Sequence, residues 1–506
     1  MTGSARGSLS KGAAWIGSSR LLVNGLGLIS TLVLARLLVP EDFGLVALAE
    51  SIFAMVAAIT ELSLAHALIQ HRKPQAHHYH TAWTLNLIRA VLLAAVMAAL
   101  GFVFARIYGD ARLIDLFFVL AGATVIGGLE NPMLVTFTRK LIFWQEFALN
   151  VASKFVGFAV AITLAYLFRS FWALVLGSLA AQLARVIVSY AIRPYRPRFS
   201  FRGYRDLLSF SFWLTLSNGI QTANWRLDPV LLGLFVPTSA VGQYSVGNRI
   251  AYLPVKEGLG PIRTLFFPAF SRMQDDLHRL RTAYLNAQGL VCLLAMPVGF
   301  GFALVARSLV ELAMGSAWLP AVPVIQVLVI LSALQVSESS QPLAMALNRT
   351  KEVFKRDMRV FMIRIPIVFA GLLAGMATDI GALMGMVAGR ALSSLINIGL
   401  NVRLVAIITG ISVATQLSVV WRPLVAAGAM SAAILAIMSR AAVSPMLDEP
   451  FLKVGLAVGL GAILYPAFLT LIWLGAGRPD GAERASLAFL NRTRRSLLER
   501  AKARTP

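Results

Sequence analysis

Long apolar runs, each about twenty residues and separated by short polar turns, follow one another through most of the chain. A helix of that length crosses the hydrocarbon of a bilayer, and in lipid each backbone amide must be satisfied inside the helix. The pattern commits the chain to an all-α, polytopic membrane fold. By the length criterion we count about fourteen spans. The first is expected over residues 13–38, as an uncleaved signal anchor, and the last over 454–474. The seventh and eighth are expected as apolar helices over 207–235 and 240–263. Composition agrees: 14% of residues are charged, against about 25% in a soluble domain.

The net charge of +23 is topological in this reading, because lysine and arginine collect in cytoplasmic loops. The turns after odd-numbered spans are short and acidic or neutral, as at Glu41, Asp42, Asp110 and Asp379. Those after even-numbered spans are basic, as at Arg139, Lys140 and the stretch 193–205. Both termini are therefore expected in the cytoplasm. The basic charge is spread over many short loops, so no nucleic-acid partner is expected. No loop is long enough for a folded domain outside the membrane.

The stretch 218–268 carries charge and polarity at membrane depth: Asn218, Gln221, Thr222, Asn224, Arg226, Asp228, Arg249, Lys256 and Glu257. A charge in the bilayer centre costs about 2.5–3.5 kcal/mol on insertion scales, so such residues face a wet cavity or a partner. Thr222 and Arg226 share a helix face, as do Asn224 and Asp228. Helix packing is the plainer use of Asn and Gln, and snorkelling that of Lys256. Arg20 and Asn24 add a polar stripe to the first span, and Glu50 and Glu61 one to the second. A carboxylate sequestered there can carry a coupling proton or Na⁺, or pair with an arginine. Arginine exceeds acid among the spans, with Arg89, Arg364 and Arg390 as further examples, and points to an anionic passenger such as a phosphate.

His71, His77, His78 and His80 share a basic loop with no acidic or cysteine partner and read as solvated side chains; no metal is expected. The lone cysteine, Cys292, excludes an internal disulfide. No phosphate-cradling nucleotide loop or nucleophile constellation is present, so no cofactor and no catalysis are expected. A turn recurs: Val39-Pro40-Glu41-Asp42-Phe43-Gly44 closes the first hairpin, and Val236-Pro237-Thr238-Ser239-Ala240-Val241-Gly242 the seventh-to-eighth, with one residue inserted. Transporters are often duplicated in this way, with the substrate site between the halves.

The run Ala35-Arg36-Leu37-Leu38-Val39-Pro40-Glu41-Asp42-Phe43-Gly44 and the later Gly242-Gln243-Tyr244-Ser245, Leu253-Pro254 and 265–276 resemble the signatures of the bacterial polysaccharide transporter family. These are the O-antigen and exopolysaccharide flippases of the multidrug/oligosaccharidyl-lipid/polysaccharide exporter superfamily. The resemblance implies two pseudo-symmetric lobes around a central cationic cavity, working by alternating access. It implies transfer of undecaprenyl-pyrophosphate-linked oligosaccharide across the bacterial inner membrane, with membrane lipids, a polysaccharide polymerase and export machinery as partners. The lobes are expected over residues 1–205 and 206–410, with two further helices over 411–475 and a basic tail over 476–506. Arg20, Arg226 and Arg249 would neutralise pyrophosphate; Asn24, Asn218, Gln221 and Asn224 would bind sugar hydroxyls; Glu61 or Asp228 would carry the coupling H⁺ or Na⁺ or hold an arginine in place. A multidrug or small-metabolite exporter, and a polysaccharide polymerase or ligase, are the alternatives. The first favours an acidic cavity, and the second a long outside loop that this chain lacks.

Overall fold

A computed structural model of the 506-residue chain describes residues 22–61, 64–71, 74–140, 142, 144–205, 211–336, 340–441, 449–479 and 481–484. Arg20 lies outside the described residues, as do the side chains of Asn218, Lys256 and Glu257. Each regular element among the described residues is helical. Among the described residues ten helices are long and apolar enough to cross a membrane, from Pro40–Thr60 to Pro450–Gly475. The last of these leaves Phe451, Val458, Ile463 and Leu471 more than half exposed. Such a surface suits lipid and would be a liability in water.

Two expected spans are interrupted, each at a proline. Helices Arg112–Gly128 and Pro132–Arg139 meet at 53° and make an eleventh span if counted together. Pro132 disfavours helical backbone at the residue before it, and Asn131 is extended, with its side chain capping Met133 N at 2.9 Å. In the eighth span, helix Thr238–Tyr252 gives way to a π-turn over Leu253–Glu257 and restarts at Gly260–Thr264. Pro254 has no N–H to continue the α pattern. Gly258 N donates instead to Leu253 O at 3.3 Å, where a Cβ on Gly258 would strike Pro254 O.

The seventh span departs from expectation in another way. Helix Ser211–Gly233 forms, but neither it nor Thr238–Tyr252 is among the ten apolar helices. The polar residues from Asn218 to Asp228 lower its hydropathy below that of a lipid-facing span.

The chain divides into two compact units. The first is Met1–Val246 with Ala313–Pro320 and Asp379–Leu383. Its core gathers Leu45, Leu48, Ile52, Met97, Leu113, Leu116 and Phe117. Small residues let its helices approach closely: a Cβ on Gly157 would lie 2.7 Å from Ala181 Cβ, and one on Gly177 2.5 Å from Ala161 Cβ. Buried Trp318 donates from Nε1 to Ala35 O at 2.8 Å and packs edge-on to Phe43, which docks the 313–320 segment.

The second unit is Gly247–Leu312, Ala321–Thr378 and Met384–Pro506. Helices Thr350–Met376 and Ala382–Thr409 cross at Gly371 and Gly385, where each Cβ would meet the other's carbonyl oxygen. Arg390 is 4% exposed and donates to Tyr252 Oη at 2.7 Å. The chain beyond the last span turns inward, where Glu483 pairs with Arg422 at 2.8 Å with both side chains buried. An ion pair so enclosed needs good geometry to offset desolvation, and the Arg422 Nε hydrogen bond supplies it.

Candidate functional site

Helix Pro40–Thr60 runs antiparallel to Ser211–Gly233. Gly233 faces Leu48 and Tyr108, while Gly219 faces Ile59. Beside the Gly219 end the two helices part around a cavity of about 340 Å³. It is lined by Ala54, Glu61, Gln221, Thr222, Trp225 and Arg226. The four residues from Ser211–Gly233 fall within about 140° of its circumference, at about 100° per residue. Spacing of this kind gives one helix a continuous polar face, and the neighbouring helix adds Glu61 directly after its last turn.

The charges at this site are of both signs. Arg226 and Glu61 are both exposed to the cavity. Half-buried Arg89, on helix Ala76–Tyr108, interacts electrostatically with Glu61. Its Nη2 reaches Ala57 O only at 3.5 Å, and its Nε is buried without a hydrogen bond. A guanidinium whose hydrogen bonds are all long can be drawn toward a stronger anion. Gln221 and Thr222 add an amide and a hydroxyl, and Trp225, 45% exposed, adds an aromatic surface.

The other expected site residues lie elsewhere. Asp228 is 1% exposed and accepts a 2.5 Å hydrogen bond from Tyr244 Oη, a side chain that is equally buried. That contact ties the seventh helix to the eighth. Asn24 and Asn224 are half-buried and are not in the cavity lining. Arg249 belongs to the second unit, where its side chain is exposed. Sequence reasoning listed Arg89 without placing it and passed over Trp225. The available signal for the tryptophan was its place beside Arg226 and four residues after Gln221, on the polar face.

The opposite end of the same two helices is closed. The two recurrent turns pack on each other there: a Cβ on Gly44 would strike Thr238 O, and a Cβ on Gly242 would strike Pro40 O. The reciprocity pairs Pro40 with Thr238 and Gly44 with Gly242, so the inserted residue falls before Thr238. Arg112 bridges Glu41 and Asp110, each at 2.7 Å. The Arg112 hydrogen bonds hold the Asp110 carboxyl below its ordinary pKa. Asp42 accepts from Phe171 N at 3.2 Å, and Tyr108 Oη donates to Val230 O at 3.0 Å.

Residues 33–323 match the family model described as polysaccharide biosynthesis protein. The chain is similar to the lipopolysaccharide biosynthesis protein WzxC of Escherichia coli (strain K12), 25% identical over 392 residues, 76% of this chain and 79% of that one. It is 27% identical over 326 residues to the succinoglycan biosynthesis transport protein ExoT of Rhizobium meliloti (strain 1021), covering 63% of this chain and 65% of that one. Among solved structures it is similar to the lipid II flippase MurJ in an inward closed conformation. The TM-score is 0.71 at 13% identity, over 92% of this chain and 100% of that one, a likeness of fold. With its membrane-spanning helices and a family model matched over more than half its length, the chain is a multi-pass membrane protein of the polysaccharide biosynthesis protein family.

Proposed function

We propose that this protein is a flippase that carries undecaprenyl-pyrophosphate-linked oligosaccharide repeat units across the bacterial inner membrane, by alternating access, for exopolysaccharide or O-antigen synthesis. The observation that carries the reading is the mixed lining of the first unit's cavity, in a chain of this family. An amphiphile with an anionic diphosphate and a string of sugar hydroxyls calls for a guanidinium at one end and amides, hydroxyls and an aromatic face at the other. Arg226 is assigned to the diphosphate, with Arg20 and Arg249 as further cations on its path. Gln221 and Thr222 take sugar hydroxyls, with Asn24, Asn218 and Asn224 serving other stages of transit, and Trp225 stacks on a sugar ring. Glu61 carries the coupling proton or Na⁺, and its attraction for Arg89 relaxes when it is neutralised. Asp228 is assigned a structural part through Tyr244. The ten apolar helices, the bent pair, the short helix Leu22–Leu37 and the two polar helices together make fourteen spans, with both termini cytoplasmic. A polymerase and export machinery would receive the product.

Two measurements test this. In a deletion strain, lipid-linked oligosaccharide is expected to accumulate on the cytoplasmic leaflet; accumulation on the periplasmic leaflet would move the protein downstream of translocation. With purified protein, Trp225→Ala is expected to weaken binding of the glycosylated carrier about tenfold while leaving the sugar-free carrier diphosphate unaffected. Equal loss for both ligands would remove Trp225 from sugar recognition.

A further inference from the structure

The connection over residues 193–205, between the sixth and seventh spans, has two faces of opposite character. It reads Arg-Pro-Tyr-Arg-Pro-Arg-Phe-Ser-Phe-Arg-Gly-Tyr-Arg, with five arginines and no acid. Pro194 and Pro197 favour extended backbone around themselves. Its inward residues are fastened to the start of helix Ala76–Tyr108 and to Asn131. Asn131 Nδ2 donates to Arg193 O at 2.6 Å, and Tyr195 Oη lies 2.7 Å from His80 Nδ1. Thr81 Oγ1, fully buried, donates to Arg202 O at 2.8 Å, and Ser200 N donates to Thr84 Oγ1 at 3.1 Å. Gly203 adopts φ +77°, and a Cβ there would come within 3.2 Å of the His78 ring. The inward register thus uses Tyr195, Ser200 and Gly203.

The outward register is what this fastening leaves over. Arg193, Arg196, Arg198, Arg202 and Arg205 are all exposed. Between them Phe199, one side of its ring edge-on to Trp83, is 73% exposed, Phe201 58% and Tyr204 41%. Two phenylalanines so open to the surroundings, on a strap that leaves the end of a span helix at Ile192, need an apolar phase beside a charged one. We infer that the 193–205 strap is a docking surface for the anionic phospholipid headgroups of the cytoplasmic leaflet, its arginines on the phosphates and its phenylalanines in the interface beneath them. Charge complementarity selects this partner: basic segments beside spans gain attraction from anionic lipid, and aromatic rings settle at headgroup depth. The buried threonines hold the strap's backbone in place, so little ordering is required on contact.

The test places a nitroxide spin label at Tyr204→Cys in the full-length protein. Cys292 is fully buried, so the labelled parent chain is the blank. The protein is reconstituted in vesicles of phosphatidylcholine alone or with phosphatidylglycerol added, and collisions of the label with oxygen and with a water-soluble nickel complex are measured. With phosphatidylglycerol the label is expected to gain oxygen collisions and lose nickel collisions. The change should disappear in an Arg196→Gln, Arg198→Gln, Arg202→Gln background, whose inward anchors are intact. It should shrink in 1 M salt, where the Debye length falls to about 3 Å. A label equally aqueous in both vesicles overturns the inference. So does one shielded from both reagents, which would mean that protein rather than lipid covers the strap.

Discussion

Helix Pro40–Thr60 has one end that excludes everything and another that opens onto a polar cavity. At Gly44 it lies against Thr238 and Gly242 with no room for a methyl group. At Glu61 it lines a space of about 340 Å³ with Gln221, Trp225 and Arg226. Both ends meet the same hairpin of the seventh and eighth spans, and both carry polar residues. The difference lies in what they face. At the closed end they face one another or the backbone: Asp42 accepts from Phe171 N, Arg112 bridges Glu41 and Asp110, and Tyr108 donates to Val230 O. At the open end Arg226 and Glu61 face the cavity, and Arg89 makes only long contacts. A fold that spends its good geometry at one end and leaves charge accessible at the other has a place to seal and a place to bind.

The comparison breaks most sharply at the glycine crossing. Gly242→Ala puts a methyl into Pro40 O, which is backbone and cannot swing aside. Overpacking costs about 1–3 kcal/mol and occasionally more, and this site belongs at the top of that range. Thermal unfolding of the purified variant should show a large drop in Tm or loss of folded yield. Gly44→Ala should do the same, and the double variant should cost less than the two singles together, because both act on one contact. A crossing that tolerates either alanine without loss would mean that the closed end is not sealed by backbone packing.

At the open end the expected effect is on transport and not on folding. Arg226→Ala should leave Tm nearly unchanged, since the side chain is exposed. It should lower polysaccharide export at normal abundance by about tenfold or more, the worth of a charge-assisted hydrogen bond. Wild-type export would remove Arg226 from substrate binding and leave the cavity without its cation.

How much of this was legible beforehand follows from the same contrast. The apolar runs announce helices in a bilayer, and the four-residue spacing in the seventh span announces Thr222 and Arg226 together, because 3.6-residue periodicity is written in the sequence. The interruptions at Pro132 and Pro254 were written there too, but a hydropathy count does not see a missing N–H. Trp225 carries no such mark in the sequence, because which arc of a helix faces water depends on its neighbours. Asp228 and Arg226, two residues apart, are both expected to face a wet cavity or a partner. The first is locked to Tyr244 and the second faces the cavity, a distinction made by the eighth helix alone. The recurrence of Pro40–Gly44 near Gly242 was visible, whereas the reciprocal contact between the copies is a tertiary fact.

Tyr244→Phe sharpens the distinction between Asp228 and Arg226. It removes the phenol from a carboxylate that is 1% exposed. Leaving a buried acceptor short of a hydrogen bond costs about 1–3 kcal/mol. A Tm loss of that order is expected, with export falling only as far as folded protein falls. Export lost at full abundance would instead give Asp228 a part in coupling.

The smallest effect is expected at the rim of the closed end, and pH reads it. The Arg112 hydrogen bonds hold the Asp110 carboxyl below the ordinary aspartate value of about 3.9. A depressed folded pKa means that the stabilisation is fully present above the unfolded value and is lost as pH falls through the folded one. The window therefore lies below about pH 4. Arg112 is 44% exposed, so solvent screening keeps the contribution to about 0.2–1 kcal/mol. The Tm difference between the parent and Asp110→Asn should be small and constant above pH 5 and should close on acidification. A difference that persists at the acid end would mean that Asp110 acts through the shape of the Gly109 turn, whose φ of +69° already bends the chain there, and not through its charge.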